Sequence, residues 1–301
     1  MTAYRYLHLD VFTNRRFAGN QLAVFPAAAG LDPSVMQQIA AEMAYSETTF
    51  ILPAEAGGDA RMRIFTPAVE LPIAGHPTVG SIYALAHDGV IQVGQERFMF
   101  ELGVGPTPVT LEWDGSRLES AWMRQQPPRF GAPVTRRDGL GEALGIDAAE
   151  IVDALPVQPV SCGVEFLMVP VATRSALDGA RSDTSALDGY FATADLSTLP
   201  VYLFTTERGD DDAVAYSRMF APSFGIAEDP ATGSASGPLG AYLVEHAVVP
   251  ADQSDRMLNL QGVKMGRPSE IWMSIERTAG GTMEVRVGGS AIMVSEGTLT
   301  A

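Results

Sequence analysis

The chain of 301 residues is long enough for two domains of ordinary size, and its 46% hydrophobic and 19% charged residues are enough to form substantial cores. A formal net charge of −16 argues against non-specific binding to nucleic acid or to an anionic membrane, since both need a basic surface. The single cysteine, Cys162, excludes an intrachain disulfide and a cysteine-rich metal site.

The start of the chain has no apolar stretch of the kind found in signal peptides, and no apolar run approaches the ~18 residues of a membrane span. We therefore expect a cytoplasmic protein with no membrane and no nucleic-acid partner.

In the first half, two helices separate runs of strands. Asp32 followed by Pro33 predicts the start of a helix that ends near Tyr45. A second helix is predicted from Gly75 to about Asp88, with Gly89 as its stop. Strands are predicted over 4–12, 21–26, 48–52, 61–65, 97–102, 107–113 and 118–123.

The paired prolines of Gln126-Pro127-Pro128 mark the best domain boundary. Beyond them, residues 136–152 are predicted to be helical, and 174–199 to hold a short helix within loops. Strands are predicted over 165–169, 201–204 and 213–220, followed by a closing antiparallel pair at 270–275 and 282–287. An order this rich in strands is typical of an α+β fold.

One pattern occurs twice: Arg-x-Phe-x-Pro, then a loop, then a glycine that opens a helix. The copies are Arg63 to Pro67 with Gly75, and Arg218 to Pro222 with Gly233. Their phenylalanines are 155 positions apart and their glycines 158, so the second copy carries three extra residues. The repeat predicts two related domains whose helix starts face each other across one cleft.

A helix start preceded by glycine leaves backbone N–H groups free to hold an anion. Gly75 and Gly233 are therefore candidates for binding a carboxylate, or an enolate formed from it. The alternative is that both are ordinary turn glycines without a ligand.

Glu47 lies at a predicted junction between a helix and a strand, where a carboxylate can act as a general base. It can equally be a rim carboxylate that accepts backbone hydrogen bonds. His76 is a helix cap or a substrate contact, Asp229 a turn residue or a ligand, and Ser234 suits the N-cap of the second helix.

Seven blocks of the sequence together resemble the PhzF-like phenazine-biosynthesis isomerase family, from about residue 4 to 295. These are Asp10-Val-Phe12, Phe17-Ala-Gly-Asn20, Ser46-Glu-Thr-Thr-Phe50, Arg63-Ile-Phe-Thr-Pro67, Gly75-His-Pro-Thr78, Glu228-Asp-Pro-Ala-Thr-Gly-Ser-Ala235, and Gln261-Gly with Gly266-Arg-Pro-Ser269.

The resemblance implies an α+β, diaminopimelate-epimerase-like fold of two pseudo-symmetric domains, each a β-barrel-like sheet around a central helix. The implied domains are 1–125 with a returning strand at about 288–301, and 126–287, with the active site in the cleft between them. It further implies a homodimer that needs no cofactor and no metal.

The resemblance also implies roles for single residues. Glu47 would be the acid/base group, and His76, Asp229 and Ser234 would complete the catalytic set. Gly75 and Gly233 would offer backbone N–H groups to the substrate. Asn20 and Ser46 are further candidates for substrate contact. Epimerases and racemases of this fold that use two opposing thiols are excluded, because only Cys162 is present.

The expected function is isomerisation of a small carboxylated substrate by proton transfer through Glu47, resembling trans-2,3-dihydro-3-hydroxyanthranilate isomerase. One alternative is a single-base epimerase or dehydratase of small hydroxy or amino acids on the same fold. The other is a non-catalytic protein that binds a small molecule.

Overall fold

A computed structural model describes residues 2–278 and 280–300, and it confirms the α+β class. The chain forms two compact units, one of residues 1–124 with 287–301 and the other of residues 125–286. Among the described helices, none combines the length and the apolar character needed to cross a membrane.

The strands are, in chain order, β1 (Ala3–Val11), β2 (Asn20–Phe25), β3 (Glu47–Leu52), β4 (Ala60–Phe65), β5 (Glu70–Leu71), β6 (Arg97–Leu102), β7 (Gly105–Asp114), β8 (Arg117–Arg124), β9 (Arg129–Phe130), β10 (Gln158–Ser161), β11 (Glu165–Pro170), β12 (Val201–Thr205), β13 (Ala215–Ala221), β14 (Ile226–Asp229), β15 (Met257–Gln261), β16 (Ser269–Arg277), β17 (Met283–Gly289) and β18 (Ala291–Thr300). The short strands β5 and β14, and also β10 and β15, are absent from the sequence-based expectation.

The helices are α1 (Pro33–Met43), α2 (Gly75–His87), α3 (Leu140–Ala143), α4 (Arg174–Gly179), α5 (Thr184–Thr193) and α6 (Gly233–Glu245). The starts of α1 and α2 and the glycine stop of α2 are confirmed, with Asp32 accepting a hydrogen bond from the Ser34 N–H and Gly89 at φ 71°.

The prediction of one helix over 136–152 is wrong. Gly139 and Gly145 lie at φ 84° and 63°, in the left-handed region that ends helices, and only α3 forms between them. A 3₁₀ turn at Ala148–Glu150 follows, capped by Asp147. Residues 174–199 also differ from the expectation, since they hold two helices, α4 and α5, rather than one.

In the first unit, β2 runs parallel to β3, which pairs antiparallel with β4. Helix α2 is buried along nearly its whole length, as expected for a helix that is apolar on every face. Its close approach to the sheet depends on Gly80, since a methyl group there would lie 2.5 Å from Cδ2 of Leu22. Gly80 therefore allows α2 to lie directly against β1 and β2.

In the second unit, β11 runs parallel to β12, which pairs antiparallel with β13. Helix α6 has 13 residues, as α2 does, and is buried to a similar extent. Both units thus surround one buried helix with sheet, and α6 packs against β10, β11 and β16.

The strand registers of the two units match position by position. Phe65 lies opposite Thr48, and Phe220 opposite Val201. On the other side, Leu71 lies opposite Ile64, and Asp229 opposite Met219. Each of these positions therefore has an equivalent in the other unit, offset by 153 residues from β3 to β12, by 155 from β4 to β13 and by 158 from β5 to β14.

The repeated arginine contacts a glutamate and a phenylalanine in the same way in each unit. Nε and Nη2 of Arg63 bind the two carboxylate oxygens of Glu70 at 2.7 and 2.6 Å, and the guanidinium lies 5.1 Å from the centre of the Phe65 ring. The corresponding atoms of Arg218 bind Glu228 at 2.7 and 2.8 Å. The bidentate geometry ties β4 to β5 and β13 to β14.

Both glutamates stand five residues before the glycine that opens the buried helix. The three extra residues of the second copy therefore fall between Phe220 and Glu228, where β13 and β14 extend beyond the positions equivalent to the ends of β4 and β5. The insertion lengthens the hairpin and leaves the spacing from the glutamate to the helix start unchanged.

The two pairs differ in burial, which predicts different costs of breaking them. The Arg218 and Glu228 side chains are 7% and 17% exposed, against 17% and 43% for Arg63 and Glu70. We expect Arg218→Met to lower the free energy of unfolding by about 3–5 kcal/mol, because it leaves a buried carboxylate uncompensated. Arg63→Met should cost about 1 kcal/mol, as for a more exposed pair. Urea unfolding followed by circular dichroism measures both, and equal losses would contradict the burial argument.

Candidate functional site

Glu47 is the first residue of β3, and its Oε2 atom lies 3.2 Å from Nε2 of His76. The two side chains are 15% and 5% exposed. The two atoms are close without the alignment of a hydrogen bond. The strand start and the first turn of α2 thus bring together a carboxylate and an imidazole that the sequence separates by 29 residues.

The position of Glu47 follows from its neighbours. Helix α1 is followed by its C-cap Ala44, whose φ of 53° turns the backbone toward β3. Glu47 pairs with Leu22 of β2. Thr49 lies two residues further along the same face of β3. Its hydroxyl is 3.0 Å from that of Ser81, which connects the strand to α2. The carboxylate is therefore presented from a fixed backbone.

His76 is a neutral imidazole. Burial lowers its pKa from 6.5 to about 3, against a smaller opposing effect of a hydrogen bond with the Gln21 backbone. The amide nitrogen of Asn20 lies 3.4 Å from Nδ1, on the side of the ring away from Glu47. Nε2 is the ring nitrogen that faces Glu47.

Asn20 is held by the loop between β1 and β2. The carboxylate of the buried Asp10 accepts a hydrogen bond of 2.6 Å from the N–H of Phe17. Gly19 has φ 65°, and a methyl group there would lie 2.2 Å from the carbonyl oxygen of Val11. The Phe17-to-Asn20 block thus serves to fix Asn20 beside His76. Ser46, which precedes Glu47, is half-buried.

The two buried helices begin in the same way. Gly75 and Gly233 are the first helical residues, and Ala74 and Thr232 are the N-caps, with no side-chain cap bond at either. The prediction that Ser234 is the N-cap of α6 is therefore wrong. Ser234 is the second residue of α6, as His76 is of α2. Hydroxyls one turn later, on Thr78 and Ser236, donate to the N-cap carbonyls at 2.7 and 3.1 Å.

In the second unit, Asp229 ends β14 and is 7% exposed. Its Oδ2 atom accepts a hydrogen bond of 2.5 Å from the hydroxyl of Thr232. Nε2 of the fully buried Gln261 donates to the Asp229 carbonyl at 2.8 Å and to the Thr232 hydroxyl at 2.9 Å. Thr232 and Gln261 are missing from the sequence-based candidates, although both lie within the blocks that resemble the family.

The equivalent positions carry different chemistry. Since Thr48 and Val201 occupy the same register position, the equivalent of Glu47 is Pro200. The equivalent of His76 is Ser234, and that of Asp229 is Leu71. The first unit thus has the carboxylate at the strand start, and the second has it beside the helix start.

The structure groups the predicted residues by unit. Asn20, Glu47 and His76 lie together in the first, next to Gly75. Asp229 lies beside Thr232 in the second, where Gly233 and Ser234 begin α6. That these two groups act on one substrate stays a prediction.

Cys162 lies outside both groups. It is buried between β10 and β11, and burial raises the pKa of its thiol to about 12. The thiol therefore stays protonated at neutral pH, in agreement with the exclusion of a thiol-based racemase.

Comparisons with known proteins cover nearly the whole chain. The family of phenazine biosynthesis-like proteins, PhzC-PhzF, matches residues 9–297. The chain is 34% identical over 294 residues to the trans-2,3-dihydro-3-hydroxyanthranilate isomerase of Pseudomonas aeruginosa, which covers 98% of each chain.

Solved structures agree with the fold. A PhzF-family phenazine biosynthesis protein of Bacillus anthracis superposes with a TM-score of 0.90 at 26% identity, over 100% of both chains. A hydroxyproline epimerase of Agrobacterium vitis gives a TM-score of 0.64 at 13% identity, over 99% of this chain and 92% of that one. The second likeness concerns the fold alone, and it supports the expected diaminopimelate-epimerase-like class.

The low pKa of His76 predicts a dependence of stability on pH. Between pH 6.5 and about 3 the unfolded chain binds a proton at His76 that the folded chain does not, so stability falls as the pH is lowered through this range. From pH 7 to pH 5 this contribution amounts to about 2 kcal/mol. We expect His76→Gln to remove that part of the pH dependence of urea unfolding. The same pH dependence in wild type and variant would show that His76 titrates normally.

Proposed function

Since this chain belongs to the PhzC-PhzF family of phenazine biosynthesis-like proteins and is an isomerase, we propose that it moves a proton between two carbons of a small carboxylated substrate. Glu47 is the acid/base group of this proposal, and trans-2,3-dihydro-3-hydroxyanthranilate, on which the P. aeruginosa relative is named as acting, is the substrate to test first.

The observation that carries the proposal is the contact between Glu47 and a histidine too weakly basic to take its proton. The pKa of His76, about 3, lies below the usual value of a glutamic acid. A proton that Glu47 removes from carbon therefore stays on Glu47 instead of passing to the imidazole. Glu47 can then return it to a second carbon.

The step balances without a redox partner. The C–H bond breaks, its proton goes to a carboxylate oxygen of Glu47, and its electron pair delocalises toward the substrate carboxylate. In the second half, an electron pair at another carbon takes the proton back, and Glu47 is again a carboxylate. Nε2 of His76 lies 3.2 Å from a carboxylate oxygen of Glu47, and this weakly basic imidazole does not compete with Glu47 for the proton.

We assign the remaining residues to substrate binding and proton handling. The N–H groups at the helix starts, at Gly75 and at Gly233 with Ser234, suit a carboxylate because the helix dipole adds to their hydrogen bonds. The hydroxyl of Ser234, the carboxyl group of Asp229 and the polar groups of Asn20 and Ser46 are the proposed further contacts.

Glu47→Gln tests the mechanism. The amide keeps the size of the side chain but cannot accept a proton from carbon, so we expect turnover of trans-2,3-dihydro-3-hydroxyanthranilate to fall by about 10²–10⁴-fold. Glu55→Gln is the control, since this carboxylate is 67% exposed and pairs with Arg61 at the surface. Activity is followed by the ultraviolet absorbance of the substrate.

Two outcomes would overturn the proposal. One is unchanged turnover by the Glu47→Gln variant. The other is a wild-type protein that binds the substrate yet forms no product from it, which is the behaviour of a binding protein rather than an isomerase.

A further inference from the structure

A chain of hydrogen bonds between buried side chains of the second unit ends at Asp229. The Ser217 hydroxyl donates to Oδ1 of Asn259 at 2.9 Å, Nδ2 of Asn259 to the Tyr202 hydroxyl at 2.8 Å, and that hydroxyl to Oε1 of Gln261 at 2.9 Å. Each of these four residues is at most 1% exposed. Gln261 in turn donates to Thr232, which donates to Asp229.

Backbone groups fix the direction of this chain. Oε1 of Gln261 accepts from the Thr232 N–H at 3.0 Å, and Nε2 donates to the Asp229 carbonyl at 2.8 Å. The amide of Gln261 therefore has one possible orientation. It follows that Tyr202 donates to Gln261, and that the Thr232 hydroxyl, which accepts from Gln261, donates to Oδ2 of Asp229. Bonds aligned in one direction polarise and strengthen one another.

The fold itself does not need these polar groups. In the first unit the equivalent positions are mainly apolar: Thr49, Met62, Leu71, Ala74, Phe100 and Leu102 stand where the second unit has Tyr202, Ser217, Asp229, Thr232, Asn259 and Gln261. Burying polar groups costs free energy that apolar side chains avoid. The first unit accepts Phe and Leu at these positions, so folding does not require the polar side chains there. The polar network of the second unit therefore acts on the residue at its end, Asp229.

We propose that Tyr202, Asn259 and Gln261 are positioning residues, which hold Thr232 and the carboxyl group of Asp229 in the orientation that the substrate needs. The inference rests on the proposed role of Asp229 in the substrate site. Oδ2 is committed to accepting from Thr232, so a proton carried by Asp229 sits on Oδ1. Because two members of the chain are amides, which do not relay protons, the chain orients Asp229 and delivers no proton to it.

Tyr202→Phe tests the proposal, because it removes the hydroxyl that connects Asn259 to Gln261 and keeps the ring. Tyr242→Phe is a matched control: Tyr242 is also fully buried in the second unit, and its hydroxyl donates to the carbonyl of Pro156 at 2.6 Å, apart from the chain. We expect Tyr202→Phe to lower kcat for trans-2,3-dihydro-3-hydroxyanthranilate by about tenfold with little change in KM. The control should stay within about twofold of wild type.

Hydrogen–deuterium exchange provides a readout that does not depend on turnover. Tyr202→Phe should speed exchange of the backbone amides of residues 229–236, and Tyr242→Phe should leave them unchanged. Ser217→Ala removes the hydroxyl that donates to Asn259 and lies 3.0 Å from the Tyr202 hydroxyl, but it keeps the bond from Tyr202 to Gln261. This variant should fold well and show smaller effects in the same direction on both readouts.

Equal effects of the two tyrosine substitutions, or unchanged exchange at 229–236 in Tyr202→Phe, would overturn the inference. A wild-type protein that does not turn over the substrate would overturn the proposed function instead. In that case the exchange measurement alone decides whether the chain positions Asp229.

Discussion

A guanidinium that binds a glutamate through two nitrogens and lies over a phenylalanine ring connects sheet to helix in each unit. The arginine is on a central strand, and the glutamate is on a short strand that ends just before the buried helix. Everything that the proposed chemistry uses at the two helix starts depends on this connection. The planar, bidentate geometry explains why the repeat keeps arginine rather than lysine.

The two units share this framework but carry different functional side chains. Glycines in equivalent positions, Gly103 and Gly262, lie so close to Pro72 and Pro230 that a methyl group would fall within 3 Å of each proline. In each unit a glycine thus allows close approach to the proline that precedes the helix start, while the side chains of the two sites differ. The first unit places Glu47 beside a neutral histidine, and the second surrounds Asp229 with hydrogen bonds. Divergence occurred in the side chains, where it does not disturb the fold.

The structural features that can be predicted from the sequence are those that depend on residues close together in the sequence. The strand runs, the Asp32–Pro33 helix start, the Gly89 stop and the repeated arginine motif are all local signals, and the structure contains each of them. The 136–152 helix fails because two glycines adopt left-handed conformations, which a helical pattern of apolar residues does not reveal. The N-cap of α6 is Thr232, two residues before Ser234, because sequence patterns locate a helix start only to within a few residues. The Gln261 contacts join residues 29 or more apart, so only the strand register brings them to Asp229.

The proline at the position equivalent to Glu47, Pro200, indicates how such a fold can acquire new reactions. Its backbone carbonyl accepts a hydrogen bond from Leu167, and its half-buried ring occupies the position equivalent to Glu47. The framework uses only the carbonyl, which every amino acid possesses. A single codon change of this kind can therefore install or delete an ionisable group at the strand start while the sheet keeps its hydrogen bonds. Enzymes with one base and enzymes with two can descend from one ancestor in this way, without any rearrangement of the backbone.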